Sequence, residues 1–188
     1  MKPATSGVKL TWDDYMRFPE DGKRHELIDG EHFVTPAPIL RHQAIVRNIS
    51  GLIWSHLRTH PVGRVFAAPM DVILSRHDVV EPDVLYFSHE RATTFEASPW
   101  VKGAPNLVVE VASPGTRRRD ETAKRRLYEK FGVDEYWLVE PADSTIVVLR
   151  LEQRAYFRAA HLRLDGGDVL TTPLLAGLEL PLRDVFAE

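Results

Sequence analysis

An α+β fold with helices packed around a mixed sheet is what this sequence predicts, and three observations predict it. The tight-turn pair Asp29-Gly30 lies between two short runs, His25-Glu26-Leu27-Ile28 and Glu31-His32-Phe33-Val34, which is the pattern of an antiparallel hairpin. The apolar run Asn106 to Ala112 is followed by an amphipathic stretch and then by a second apolar run, Glu135 to Val139, which reads as strand, helix, strand. The last third alternates from Thr145 to Leu151 and from Ala155 to Phe157, adding β-strands toward the C-terminus.

Each element has its own cause. Leu10 to Met16 carries a Thr11 cap and acids at Asp13 and Asp14, predicting a short helix that Pro19 closes. The hairpin follows from Arg24 to Val34. Between Arg41 and His60, the residues Ile45, Ile49, Leu52, Ile53 and Leu57 recur at spacings of three and four, the period of a long amphipathic helix. Arg64 to Leu74 holds Val, Phe and Ile broken by Pro69, while Asp83 to Phe87 and Asn106 to Ala112 are apolar runs bounded by Pro; these are predicted central strands. A second helix is predicted from about Arg119 to Phe131, with Gly132 as its left-handed stop. Asp165-Gly166-Gly167 marks a late turn.

The chain has 188 residues, 44% of them hydrophobic and 27% charged, enough for one core and too apolar for intrinsic disorder. With no repeat or linker to divide it, residues 1–188 are expected to form a single domain. No window approaches the roughly 18 apolar residues of a membrane span and no signal peptide is evident, so a cytoplasmic protein without membrane contact is expected. Cys is absent, which removes disulfides, thiolate metal sites and a cysteine nucleophile. No Gly-rich phosphate loop or Ser-centred nucleophile elbow is present either. The formal net charge of -3 gives no general basic footprint, so nucleic-acid binding would need a local patch.

Three residues do not suit a core. Glu110 lies among Leu107, Val108, Val109 and Val111, where an ionised carboxylate needs a cation or several donors; it is either a functional acid or half of a structural ion pair. Asp83 follows Pro82 on the same strand face as Leu85 and Phe87, so it points inward unless it is only a turn cap. On the helix from Arg119, a spacing of about 100° per residue puts Lys124 inside the stripe of Ala123, Leu127, Phe131 and Tyr128. Its ammonium either snorkels to the surface or is held against the acidic pair. A Pro-Asp, a Glu on a strand and a converging Lys are the groups needed for metal-assisted phosphodiester cleavage. Two carboxylates favour a hard cation, Mg²⁺ or Mn²⁺.

At this point the motifs resemble a known family. The combination Glu26-Leu27-Ile28-Asp29-Gly30-Glu31, Glu81-Pro82-Asp83-Val84-Leu85, Pro105 to Pro114, Asp120 with Lys124 and Tyr128, and Glu135-Tyr136-Trp137-Leu138-Val139 is similar to the Uma-two family of restriction-endonuclease-like proteins, within the PD-(D/E)xK nuclease superfamily. The resemblance spans nearly the whole chain. It implies a restriction-endonuclease-like core, a mixed central β-sheet flanked by helices, here with an N-terminal hairpin and extra C-terminal strands. It also implies Asp83 and Glu110 as metal ligands with the Val111 carbonyl beside them, Glu26 as an additional acid and Lys124 as the catalytic lysine. One departure stands out: Ala112 occupies the place, two residues after Glu110, where an ordinary nuclease of this superfamily has its Lys.

Arg117, Arg118, Arg119 and Arg125 form the concentrated basic region, read either as a DNA-phosphate patch or as a solvated helix face. His42 begins the long helix on its inner side and, with Tyr128, is a candidate to line the site. His56 and His60 are spaced for a metal but have no third ligand at suitable spacing, so a structural or surface role is expected. Two function classes remain: a metal-dependent DNA endonuclease, and an inactive nuclease fold that binds nucleic acid or protein. Homodimerisation is expected of the endonuclease, because cutting both strands of a duplex takes two sites.

Overall fold

A computed structural model describes residues 8–93 and 98–188. Helix α1 (Trp12–Tyr15) precedes the hairpin β1 (Arg24–Ile28) and β2 (Glu31–Thr35), and the long helix α2 (Leu40–Thr59) follows. Next come β3 (Gly63–Ala67), β4 (Val72–Ser75), β5 (Asp78–Val80), β6 (Val84–Ser88), α3 (His89–Ala92), β7 (Val101–Lys102) and β8 (Leu107–Val111). Helix α4 (Arg117–Arg119) runs through a π-helical stretch, Asp120–Lys124, into α5 (Arg125–Phe131). Strands β9 (Glu135–Glu140), β10 (Thr145–Glu152), β11 (Ala155–Arg163), β12 (Val169–Leu170) and β13 (Leu180–Pro181) lead to α6 (Leu182–Val185).

The hairpin forms where predicted. Asp29 and Gly30 both take positive φ, 52° and 76°, as a type I′ turn requires. Thr11 caps α1 in a reciprocal box with Asp14. Gly132 ends α5 at φ 76°.

The sheet arrangement departs from a single central sheet. Six strands form one mixed sheet in the order β11-β10-β9-β8-β6-β3, and five form another in the order β2-β1-β5-β4-β7. The segment around Pro69 separates them: β3 pairs with β6 in the first sheet, whereas β4 pairs with β5 and β7 in the second. Pro69 has no N–H to offer a ladder, so the run Arg64 to Leu74 divides there. Only β8 and β9 run parallel within the six-stranded sheet, joined by α4, the π-helical stretch and α5 as the strand–helix–strand reading expects. On one face of that sheet, α2 contributes Ile45, Ile49 and Ile53 to a cluster with Val84, Val109, Val111 and Trp137. On the other, α5 contributes Leu127 and Tyr128 to a cluster with Leu85, Phe87, Val108 and Tyr136. Burial of these two apolar faces fixes the register, because a one-residue slip would exchange the side chains packed on α2 with those packed on α5.

Candidate active site

The acids are brought together by pairing between the two central strands. Val84 faces Val109 across the β6–β8 ladder, which sets Asp83 beside Glu110, and the Val111 N–H donates to Asp83 Oδ2 at 2.8 Å. Glu110 shares a strand face with Val108 and so turns toward the helix that follows. There Lys124 Nζ donates to Glu110 Oε1 at 2.8 Å, Tyr128 OH donates to the same oxygen at 2.6 Å, and Lys124 Nζ lies 2.7 Å from Glu26 Oε1. Asp120 Oδ1 is 4.0 Å from the same ammonium and has no hydrogen-bond partner among the described residues.

The hairpin supplies a second set of contacts. Arg24 and Glu26 are two residues apart on β1 and share a face. Arg24 Nη1 donates to Asp83 Oδ1 at 2.6 Å, and its Nε is 2.9 Å from Glu81 Oε1. His42, near the start of α2, brings Nε2 to 3.2 Å from Asp83 Oδ2. Arg119 Nη2 donates to Thr35 Oγ1 at 2.6 Å, lies 3.3 Å from Glu26 Oε2, and its guanidinium sits over the Phe33 ring.

The charges do not balance. Glu26, Glu81, Asp83, Glu110 and Asp120 line one cavity with Arg24, Arg119 and Lys124, and Arg41, Arg117 and Glu140 line it as well, so six carboxylates face five fixed cations. The titration behaviour follows from burial first and from these neighbouring charges second. Burial pushes Glu110 up to about 8 against the pull of Lys124, with Asp120, Asp83 and Glu26 adding to the rise. Burial likewise pushes Glu81 up to about 7 against Arg24, and raises Asp120 against Lys124. Burial would also raise Asp83, but hydrogen bonds and charge from His42 and Arg24 hold it below the usual carboxylate range. Lys124 is the converse case: burial favours loss of its proton, and the charges of Glu110, Glu26 and Asp120 more than reverse this. Asp83, shifted toward its ionised form, and Glu81, Glu110 and Asp120, shifted toward their protonated forms, therefore share a cavity of about 930 Å³ with a Lys124 whose charge is reinforced.

Comparison with known proteins fits this geometry. Residues 12–183 match the family model Uma2, described as "Putative restriction endonuclease". The chain belongs to the Uma2 family. Among solved structures it is similar to "a putative nuclease belonging to DUF820 from Anabaena variabilis", at 23% identity and a TM-score of 0.80, over 95% of this chain and 98% of that one. That likeness establishes a shared fold. No curated protein matches the chain.

In this Uma2 chain the sequence-selected residues divide into three groups. Glu26, Asp83, Glu110 and Lys124 meet at the cavity floor, and His42 meets Asp83. Val111 lines the cavity and holds Asp83 through its N–H. Tyr128 grips Glu110 from behind, so it supports the site without lining it. The arginine run does not form one exposed patch. Arg117 and Arg119 line the cavity, with Arg119 nearly buried, while Arg118 and Arg125 are exposed outside it. The reason is the helical turn, which points successive residues about 100° apart and so sends Arg118 away from the cavity, while Arg119 is drawn inward by Glu26. His56 and His60 stack at 4.4 Å on α2, away from the cavity. In the sequence Glu81 and Asp120 stand out only as motif residues without a site role, and Arg24 not as a site residue at all. Signals existed for two of them: Arg24 is in β phase with Glu26, and Asp120 stands four residues before Lys124.

Proposed function

We propose that this chain is a metal-dependent DNA endonuclease that hydrolyses phosphodiester bonds, with Mg²⁺ or Mn²⁺ held by Asp83 and Glu110. The observation that carries the reading is the Lys124 ammonium seated on Glu110, beside Asp83, at the floor of a cavity in a chain of a nuclease family. The donor set suits a hard cation: the two carboxylates offer only oxygen. Among the described residues no three Asp, Glu or His side chains form a ready ion-binding group. The remaining ligands would therefore be main-chain or water oxygens, the Val111 carbonyl among them. A bound cation supplies polarisation of the phosphate and a more acidic water.

The chain's own groups do the rest. Arg24 and His42 keep Asp83 ionised, and Tyr128 fixes the Glu110 carboxylate. Lys124 offers a charge that can orient the nucleophile or offset negative charge developing on the phosphate. Arg117 lines the cavity and Arg118 and Arg125 are exposed outside it, and these are the arginines proposed to meet the DNA backbone. A second copy is proposed where both strands of a duplex are to be cut. Calorimetric titration with Mn²⁺ tests the site: the wild type should bind the ion and gain melting temperature at millimolar concentration. Asp83→Asn should lose both effects. An absent shift with either metal, or an unchanged shift in Asp83→Asn, contradicts the reading.

One observation favours a second reading, the inactive nuclease-fold module that binds nucleic acid or protein. Asp83 already receives Arg24 on one oxygen and both His42 and the Val111 N–H on the other. If those partners stay in place, the acid has little capacity left for an ion. Tight DNA binding without cleavage under any divalent metal would select this reading.

A further inference from the structure

We propose that the cavity admits an unpaired DNA strand rather than a continuous duplex, with the base next to the scissile phosphate lying on an apolar rim formed by Val34, Pro36, Pro38 and Ile39. The inference rests on the nuclease reading above and specifies the form of substrate that the same site takes.

Depth is the first argument. Asp83 is 2% exposed, and Glu110 and Lys124 are each 3% exposed, at the bottom of a cavity of about 930 Å³. That volume lies within the roughly 300–1,000 Å³ of clefts and cavities that take a small ligand. In a duplex, the phosphates lie along a backbone whose bases are stacked and paired behind it. A phosphate can descend to such a floor only where its strand is free to leave its partner, as for enzymes that act on single-stranded or extruded nucleotides.

The walls supply the second. A nucleotide that enters phosphate first brings its sugar and base against whatever lines the mouth. Here Val34 near the end of β2 and Pro36, Pro38 and Ile39 of the connection to α2 line the cavity, as do Pro114 and Pro141. Prolines fix this connection's backbone, so the wall is preformed. Unpaired bases lie on such surfaces whatever their sequence. A duplex would present charged phosphates to the same surface and lose their hydration without return.

Ile39 gives the third. It occupies the N-cap position of α2 and makes no side-chain cap, a position that Ser, Thr, Asp and Asn favour and Ile fills poorly. It is also 69% exposed, so core packing does not compensate for the missing cap. A residue that weakens its own helix and is not buried is explained by contact with something outside the fold.

The experiment is fluorescence anisotropy in EDTA with a labelled DNA of roughly 12 nucleotides, within the span one single-strand site covers. The same sequence is offered single-stranded and as a blunt hairpin duplex. The single strand should bind about tenfold more tightly, and Ile39→Ser should weaken that binding about fivefold or more without changing duplex binding. Ser is the better cap, so the variant should melt no lower than the wild type. Equal or tighter duplex binding, single-strand binding unchanged in Ile39→Ser, or no binding of either DNA overturns the proposal. Cleavage in Mn²⁺ separates the two readings. Asp83-dependent cutting of duplex as fast as of single strand defeats the strand preference and leaves the nuclease. No cutting at all, with strand preference and Ile39 dependence intact, defeats the nuclease and leaves the binding site.

Discussion

Lys124 shows how one side chain sets the state of its neighbours. Its ammonium is shared by Glu26 and Glu110, with Asp120 farther off, and without it these buried acids would have no common counter-ion. Lys124→Met keeps much of the stem's volume and deletes the charge. Breaking a buried pair in this way costs about 3–5 kcal/mol where the acids stay ionised, so denaturant unfolding should show a larger loss at high pH than at low pH. Cleavage should fall by about 10²-fold or more. The raised carboxyls give a second expectation. An acid whose folded pKa exceeds its unfolded value binds more protons in the fold, so its contribution to stability is full below the unfolded pKa and is lost as pH rises through the folded one. For Glu110, between 4.5 and about 8, the metal-free protein should therefore lose stability across that window, and Glu110→Gln should flatten the slope. An unchanged slope would place the titration elsewhere. Glu110, Asp83 and Lys124 were legible in the sequence because each breaks the apolar pattern of its own element. Arg24 and Glu81 break no such pattern, being charged residues at the ends of short segments, and only three-dimensional pairing shows where they point.

At the scale of elements, the junction between β3 and β6 depends on close approach. A Cβ on Gly63 would lie 2.2 Å from the Phe87 carbonyl oxygen and 2.5 Å from the Tyr86 ring. Gly63→Ala should thus cost roughly 1–3 kcal/mol as overpacking, visible as a lower melting temperature; an unchanged one would mean that the strands part easily. The π-helical stretch Asp120–Lys124 buries both of its end residues at the cavity, in keeping with the tendency of such turns to occur at functional sites. The hairpin, α2, the helical stretch before Gly132 and the strand–helix–strand unit were legible because their periods run for many residues. The division into two sheets was not. Strands as short as β5 and β7, of three and two residues, carry no period, and β4 joins β7 across a long sequence gap. The π-helical stretch leaves no mark that a 100° spacing would reveal.

Across the whole molecule, the two larger sheets and the start of α2 converge on one acidic cavity, while the overall charge of -3 would leave capture of the proposed DNA substrate to local arginines. The Asp83–Arg24 contact ties the hairpin to the six-stranded sheet, so ion binding at Asp83 should stiffen the joint as well as fill the site. A melting-temperature rise with Mn²⁺ that disappears in both Asp83→Asn and Glu110→Gln would show the two strands acting as one ligand set. Among the described residues no helix is long and apolar enough to cross a membrane. The site's position also bears on assembly: a duplex cut on both strands needs two copies, whereas an unpaired strand needs one. Hydrolysis of DNA by these acids and Lys124, as proposed, is tested by the rate of Mn²⁺-dependent cleavage of an end-labelled single-stranded oligonucleotide by wild type and Asp83→Asn. The wild type should cut, EDTA should stop it, and Asp83→Asn should lower the rate by about 10²-fold or more; no cutting with any divalent cation, or equal rates in the two proteins, would contradict the proposed hydrolysis.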